Sequence, residues 1–446
     1  MNGGREVQPI RRLHYTSSFH LKRQTGKMDE SVQRDRAARS LKRSLEPPDL
    51  PPPKNPHVTS LRTHPSVYQG SFPFYRLPSE LGSFSLDEKR CYHGDARRLR
   101  FLRPPAGMES GAASPGWDVM EGFEDRYVRR DEDQKEGLLH ILTWVKENRA
   151  LLRGNGNPES KRPVDRDFVT WRGHLTKILC TPYESQEGWI LAVTLFKGTL
   201  YISERETAAA YRKRKERTRE QEKLMYSGYK FESYMCADSP DGAPCPSEVV
   251  NTNEGFCSVL LGRLASHSFL VSGEVDCKDP SSTNPSPPSC YVELKTSALI
   301  RSPYQERSFH RYKLLKWWCQ SFLLGIPLIV TGFRNPQGRI VSLEKFRTSE
   351  ISRLVRGDRQ SWDPAVCMNF CNAFLDYIKK VVTTDDHSSF FRFTPALQLQ
   401  KKTRRGQRHK KGPGPRSNHP IQESIILMCW NWTPLLQAHF YLFGIT

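Results

Sequence analysis

The chain has no apolar run long enough to cross a bilayer. Its longest internal stretch, SFLLGIPLIVTGF (321–333), is too short and is broken by Gly325 and Pro327, so it reads as buried core. The apolar C-terminal end is interrupted by Asn431, Pro434, Gln437 and His439 and does not read as a span either. No apolar h-region stands in MNGGREVQPIRRLHYTSSFHLKRQTGK, which argues against a secretory signal and leaves an arginine-rich transit peptide open. No C-x-x-C pair occurs. The 11 cysteines are odd in number and irregularly spaced, and Cys367 and Cys371 fall at helix spacing in an apolar pattern, so reduced, intracellular thiols are expected. No repeat at solenoid or propeller period is visible. Acid is also scarce: 48 Asp and Glu against 68 Lys and Arg leave a formal charge of +20. That excess favours a polyanionic partner, nucleic acid first and an anionic membrane second, because lysine and arginine neutralise phosphates and release their counterions.

What is present divides the chain in three. Residues 1–66 are charged and polar, carry PPDLPPPKNP at 47–56, and suit a disordered basic, proline-rich extension. Hydrophobic patterning is nearly continuous over 67–394, which is expected to be one large domain. Residues 395–446 run from a basic, Gly/Pro-rich stretch into an apolar end and are expected to be poorly ordered. The mean hydropathy of −0.64 agrees with such flanks.

Within the central region the 3.6 and 2.0 periodicities alternate. Helices are expected over 134–154, closing on Gly154; over 207–235, with a break at Ser227-Gly228; over 307–325; and over 361–382, with Asp363 as N-cap and Pro364 in the first turn. A hairpin is expected over 187–204 around Lys197-Gly198. Strands FLVSGEVDC (269–277) and CYVELKTS (290–297) are joined by a Pro- and Ser-rich loop. Mixed strands and helices make the class α/β or α+β.

Side chains alternate along a strand, so in YVELKTS the charges of Glu293 and Lys295 share one face while Leu294 points with Val292 into the core. In SGEVDC, Glu274 and Asp276 share a face in the same way. If the strands lie side by side, three carboxylates and a lysine meet. Such acids raise one another's pKa unless a cation intervenes, and oxygen ligands favour Mg²⁺ or Mn²⁺ over zinc. A lysine beside them suits phosphoryl chemistry. Taken alone, E-x-D and E-x-K fit a solvated, salt-bridged sheet face better; the apolar flanks and their closeness in the chain count against that.

Other residues join them. Glu232 in GYKFESYM lies in an apolar and aromatic setting. Arg172, between Trp171 and Gly173 in TWRGHLTK, is a fork-shaped phosphate donor, with a structural salt bridge as the plain alternative. Lys313, Trp317 and Gln320 follow i, i+4, i+7 on one helix, where tryptophan also suits core packing and Gln320 needs a polar partner.

The stretches SFPFYRLPSELGSFSLD, YHGDAR, TWRGHLTK, GYKFESYMCAD, VVNTNEGFCSVL, SGEVDC, CYVELKTS, KLLKWWCQSF and GFRNPQG occur in one order between about Gly70 and Phe393, and there the chain resembles the decapping exoribonuclease family. The resemblance implies a single α/β domain of two mixed β-sheets with flanking helices and an active site like that of PD-(D/E)xK nucleases. It also implies removal of incomplete, unmethylated or NAD caps and of 5′ pyrophosphate or triphosphate, followed by 5′–3′ degradation of the RNA.

By the same resemblance Glu232 falls on the family's G-Φ-x-x-E motif, Glu274 and Asp276 on E-Φ-D, and Glu293 and Lys295 on E-Φ-K. The Leu294 carbonyl belongs to the implied metal shell, and Gln320 lies near the attacking water. Trp171, Arg172 and Gly173 match a substrate-contacting W-R-G, and Arg90, Glu136 and Cys257 match further substrate contacts. Two Mg²⁺ or Mn²⁺ ions on Glu232, Asp276 and Glu293, with Glu274 direct or through water, are implied, as is a nuclear location. RNA 5′ ends that are capped, NAD-capped or triphosphorylated are the implied partners, with no membrane and no evident protein partner. The basic runs 211–219 and 401–411 suit nuclear import or RNA contact, although a charged face of a surface helix needs no such reason. Two other readings stay open: a catalytically impaired isoform that binds RNA or stabilises a partner, and a DNA nuclease with the same acid and lysine set.

Overall fold

Alternating strand and helix patterns become two mixed sheets with helices between and outside them. The computed structural model describes residues 60–104, 115–152, 162–358, 361–385, 388–395 and 425–430, with the backbone alone for the last segment. All of these belong to one compact unit, Leu50–Thr446. The expectations for residues 1–59, Gly154, the run 401–411 and the chain end lie outside the described residues.

In chain order the strands are β1 (Ser60–Arg62), β2 (Tyr75–Leu86), β3 (Tyr92–His93), β4 (Phe101–Leu102), β5 (Tyr127–Val128), β6 (Phe168–Trp171), β7 (Trp189–Phe196), β8 (Thr199–Arg205) and β9 (Cys236–Ala237). They continue as β10 (Val250–Asn251), β11 (Gly255–Leu264), β12 (His267–Glu274), β13 (Cys277–Lys278), β14 (Tyr291–Ala298), β15 (Leu328–Arg334), β16 (Ile340–Arg347), β17 (Ser388–Thr394) and β18 (Ile425–Trp430). The larger sheet has the order β1-β18-β17-β7-β8-β6-β12-β11-β2-β3 and the smaller β16-β15-β14-β13-β4-β9; β5 and β10 pair separately. Both sheets are mixed: β6 runs parallel to β8 and β12, and β14 parallel to β15, among antiparallel neighbours.

The principal helices are α1 (Leu139–Glu147), α2 (Arg172–Cys180), α3 (Ala208–Lys215), α4 (Arg219–Met235), α5 (Pro303–Ser308), α6 (Leu315–Leu324) and α7 (Pro364–Val381). On one face of the larger sheet, Leu191, Ile202 and Val271 pack with Ile178 of α2, Trp318 of α6 and Phe370 and Phe374 of α7. Its other face is covered by α1 through Ile141 and Trp144. α4 lies on the smaller sheet, with Phe231 and Met235 against Val292, Leu294 and Val330.

Many elements stand where the pattern puts them. The hairpin β7–β8 turns on Lys197 and Gly198, both at positive φ (47° and 79°), as a two-residue turn between right-twisted strands requires. α7 starts on Pro364 behind Asp363, whose carboxylate accepts the Ala365 N–H at 2.8 Å.

Four expectations are corrected. The 207–235 helix breaks at residues 216–218 and runs unbroken through Ser227 and Gly228. Thr218 and Gln221 form a reciprocal capping box, and burial of Phe231 and Met235 outweighs the roughly 1 kcal/mol that a mid-helix glycine costs. The 307–325 helix is three pieces, α5, a π-helical turn Phe309–Leu314 and α6. The strand through SGEVDC is also divided: β12 ends at Glu274 in the larger sheet, and Cys277–Lys278 pairs with β14 in the smaller one, so β12 and β14 are not neighbours. Ordered structure also extends outside the expected 67–394, because β1 and β18 pair with each other and β18 pairs with β17.

Replacing Thr218 with Ala removes one half of the capping box and is expected to cost about 1 kcal/mol. The check is a lower urea midpoint with an unchanged m-value.

Candidate active site

The change of sheet at Val275 assembles the acids. Val275 is buried and donates its N–H to the Phe256 carbonyl at 3.0 Å, closing the larger sheet. On one side of it Glu274 sits opposite Cys257 on β11, and on the other Cys277 sits opposite Val292 on β14. Asp276 therefore lies at the junction of the two sheets, where its Oδ2 accepts the Leu294 N–H at 2.6 Å. In β14, Leu294 and Val292 face the cluster under α4, as alternation requires, while Glu293 and Lys295 face the other way.

Glu293 is 1% exposed and holds two cations. Lys295 Nζ lies 2.5 Å from its Oε1, and Arg172 Nη1 donates to Oε1 and Oε2 at 3.2 and 3.3 Å. Arg172 can reach because β6 ends at Trp171 and α2 begins at the next residue. Burial alone would raise the Glu293 carboxyl, but Lys295 and Arg172 outweigh it and hold the group down to about 2. Asp276 is pushed up to about 7, by burial first and then by the Glu293 charge. Glu232, presented by α4, is pushed well up by burial and then by Asp276, and Arg100 is the cation that counters it.

A cavity of about 710 Å³ opens beside these groups. Arg90, Glu136, Trp171, Arg172, Gly173, Cys257, Glu274 and Gln320 all line it; Glu232, Asp276, Glu293, Leu294 and Lys295 do not, and form a group beside it in which Glu293 and Leu294 are buried and the others partly so. Arg90, in a left-handed turn (φ 69°), grips Glu136 with Nε and Nη2 at 3.0 and 3.2 Å, and Arg130 reaches the same carboxylate at 2.8 Å. The Trp171 indole N–H donates to the Gly137 carbonyl at 2.8 Å, fixing the ring plane. Cys257 is buried, which pushes its thiol up and leaves it inert as a nucleophile.

The expected shared face of Lys313, Trp317 and Gln320 is not formed. The π-helical turn ends at Leu314 and shifts the register: Trp317 packs on Phe309 at 5.2 Å, Lys313 turns to Ser297, and only Gln320 reaches the cavity. Three residues escaped the sequence reading. Tyr229, three residues before Glu232 on α4, lines the cavity, and helical spacing could have found it. Arg130 and Arg100 stand in ordinary charged stretches with no signal in the sequence.

Among the described residues no three His, Cys, Asp or Glu side chains converge as a ready-made metal group. Glu293 is turned to its two cations, and Asp276 is turned to the Leu294 N–H. The donor chemistry nevertheless fits a hard divalent cation. The groups are carboxylate oxygens; burial first and then mutual repulsion raise Asp276 and Glu232, and a bound cation offsets both.

Residues 76–414 match the family model described as RAI1 like PD-(D/E)XK nuclease, so the resemblance extends past Phe393. The chain is 68% identical over 362 residues to the decapping and exoribonuclease protein of Xenopus laevis, covering 80% of this chain and 90% of that protein. Candida albicans Rai1 in complex with pU5-Mn²⁺ superposes with a TM-score of 0.67 at 21% identity, over 85% of this chain and 95% of that one. Scheffersomyces stipitis Rai1 in complex with (3′-NADP)⁺ and calcium ion gives 0.63 at 23% identity, over 76% and 90%. At these identities the two structures show a common fold.

Glu293→Gln leaves two partly buried cations without their anion. It is expected to lower stability by about 3 kcal/mol, read as a lower denaturation midpoint in metal-free buffer.

Proposed function

The chain belongs to the RAI1-like PD-(D/E)XK nuclease family, and from that membership we propose how its cavity acts on RNA. The protein is a metal-dependent hydrolase that removes defective 5′ caps and degrades RNA from the 5′ end. The observation that carries this reading is the position of the acid and lysine group beside a cavity of about 710 Å³ lined by many charged residues. The bound ligands of the relatives, pU5 with Mn²⁺ and (3′-NADP)⁺ with calcium ion, favour RNA 5′ ends and NAD caps as substrates. Triphosphate ends belong to the same class of substrate.

Glu232, Asp276 and Glu293 are the proposed holders of two divalent ions, Mg²⁺ or Mn²⁺, with Glu274 and the Leu294 carbonyl completing the set. Bound there, the ions neutralise phosphate charge and acidify water. Lys295 and Arg172, both held on Glu293, are the proposed donors to the phosphate oxyanion. Gln320 holds water at the cavity wall, and the fixed Trp171 ring offers a flat face to a base. Gly173 leaves open space at the wall, since a Cβ there meets nothing within 4 Å. Arg90, Glu136, Arg130 and Cys257 shape the polar side that receives the cap. A non-catalytic protein has no use for this acid set, which is intact.

The nucleus is the proposed compartment. Of the two basic runs, 211–219 is largely paired to acids, Arg214 to Glu206 and Arg217 to Glu132 among them, so 401–411 is the better import candidate. A reporter fused to 401–411 is expected to enter nuclei, and a cytoplasmic reporter removes this support.

Glu232→Ala and Asp276→Ala should each lower release of the 5′ product from NAD-capped and triphosphorylated RNA on the order of 10³-fold, with circular dichroism unchanged. Mn²⁺ at about 100 times its Kd should stabilise the wild type by about 2.7 kcal/mol, and Asp276→Ala should cancel the rise in Tm. Equal cleavage of DNA and RNA ends would move the assignment to a general nuclease.

A further inference from the structure

We propose that residues 301–313 together with Arg334 form the track that holds the single-stranded RNA body downstream of the bond being cut. The inference rests on the hydrolase reading above and extends it to a surface outside the cavity.

The cavity itself has little free positive charge. Each lysine and arginine on its wall is paired with a carboxylate, from Arg90 and Arg130 on Glu136 to Arg214 on Asp133 and Glu206. The attraction for a polyanion must then come from elsewhere. β14 leads to the place. Glu293, Lys295 and Ser297 alternate onto one face, so Ser297 lies about 13 Å along the strand from Glu293. There Lys313 Nζ donates to Ser297 Oγ at 3.0 Å. Burial and the neighbouring Arg334 push the Lys313 ammonium down to about 8, a cost that an arriving anion relieves.

From this point the cations continue to the surface. The Leu299 N–H donates to the Arg334 carbonyl at 2.8 Å, which ties β15 to the segment leading into Arg301 and α5. Tyr304 is 75% exposed, Arg301 and Arg307 are exposed, and Arg311 lies 5.4 Å from the Tyr312 ring centre. Phe309 and Leu314, both buried, pin the π-helical turn that carries Arg311 and Lys313. Within 301–313 the one acid is Glu306. Among the described residues none of Arg301, Arg307, Arg311, Lys313 or Arg334 forms an ion pair with it or with any other carboxylate. Unpaired cations interleaved with exposed tyrosines fit single-stranded RNA: phosphates meet the cations, and bases stack on the rings whatever their sequence.

The test compares an NAD-capped RNA of about 30 nucleotides with an NAD-capped dinucleotide, the longer one spanning the track. The enzymes are the wild type and the triple variant Arg301→Gln, Arg307→Gln, Arg311→Gln. For the triple variant the KM on the long RNA should rise about tenfold, and the slope of log affinity against log salt should become shallower by about two, at about 0.7 per phosphate contact. The dinucleotide should be cleaved as before, and the triple Arg→Lys variant should restore salt slope and KM. An unchanged salt slope and length preference in the triple variant overturns the track, as does equal loss on both substrates. If the wild type cleaves neither substrate, the hydrolase reading falls, and anisotropy binding of the uncapped RNA to the same variants still decides the track.

Discussion

The hydrogen bond from the Leu294 N–H to the Asp276 carboxylate fixes the chain where it passes from one sheet to the other, at the point where the chemistry is assembled. Asp276 follows Val275, the residue at which the chain leaves the larger sheet, and it takes its bond from the central strand pair of the smaller one. Because Leu294 uses its main chain for this contact, its side chain remains free to pack under α4, and alternation turns Glu293 and Lys295 to the opposite face. Glu232 then arrives on α4 because Phe231 and Met235 are buried on the same sheet. Two packing requirements and one polar contact thus gather acids from three separate elements.

The cost of that gathering is visible in the charges. A buried carboxylate is tolerated when cations flank it, as Lys295 and Arg172 flank Glu293; Asp276 and Glu232 have less compensation and rise accordingly. A group strained in this way is poised to accept a divalent cation. The cavity beside it is nearly charge-balanced, so it orders a ligand without attracting it over distance. Long-range attraction falls to surface cations without partners, and the segment after β14 supplies them close to the reacting end of the strand.

The same division runs through the helices. α2 begins at the end of β6, so Arg172 reaches Glu293 from a rigid start, while α6 places Gln320 on the cavity and Trp318 in the core. The π-helical turn before α6 separates Lys313 from that face and delivers it to Ser297. One irregular turn therefore serves both the cavity and the neighbouring surface.

Local pattern was enough to place the hairpin at Lys197-Gly198, the cap at Asp363 and the opposed faces of Glu293 and Leu294, because turn chemistry, capping and strand alternation depend only on near neighbours. It was enough, too, for the order of motifs that carries the family. It failed at Ser227-Gly228, where burial of residues farther along α4 overrode a local breaker, and at Lys313 and Trp317, where a π-helical register cannot be told from an α-helical one by spacing. The partnership of SGEVDC and YVELKTS was real, but only the end of SGEVDC lies beside YVELKTS: β12 closes at Glu274 in the larger sheet, Cys277 pairs with Val292 in the smaller one, and a change of sheet is a long-range event with no signature in nine residues. Which cation faces which acid, Arg172 on Glu293 and Arg100 near Glu232, was likewise a matter for the tertiary structure, since ion pairing depends on distances between segments that the chain itself keeps far apart.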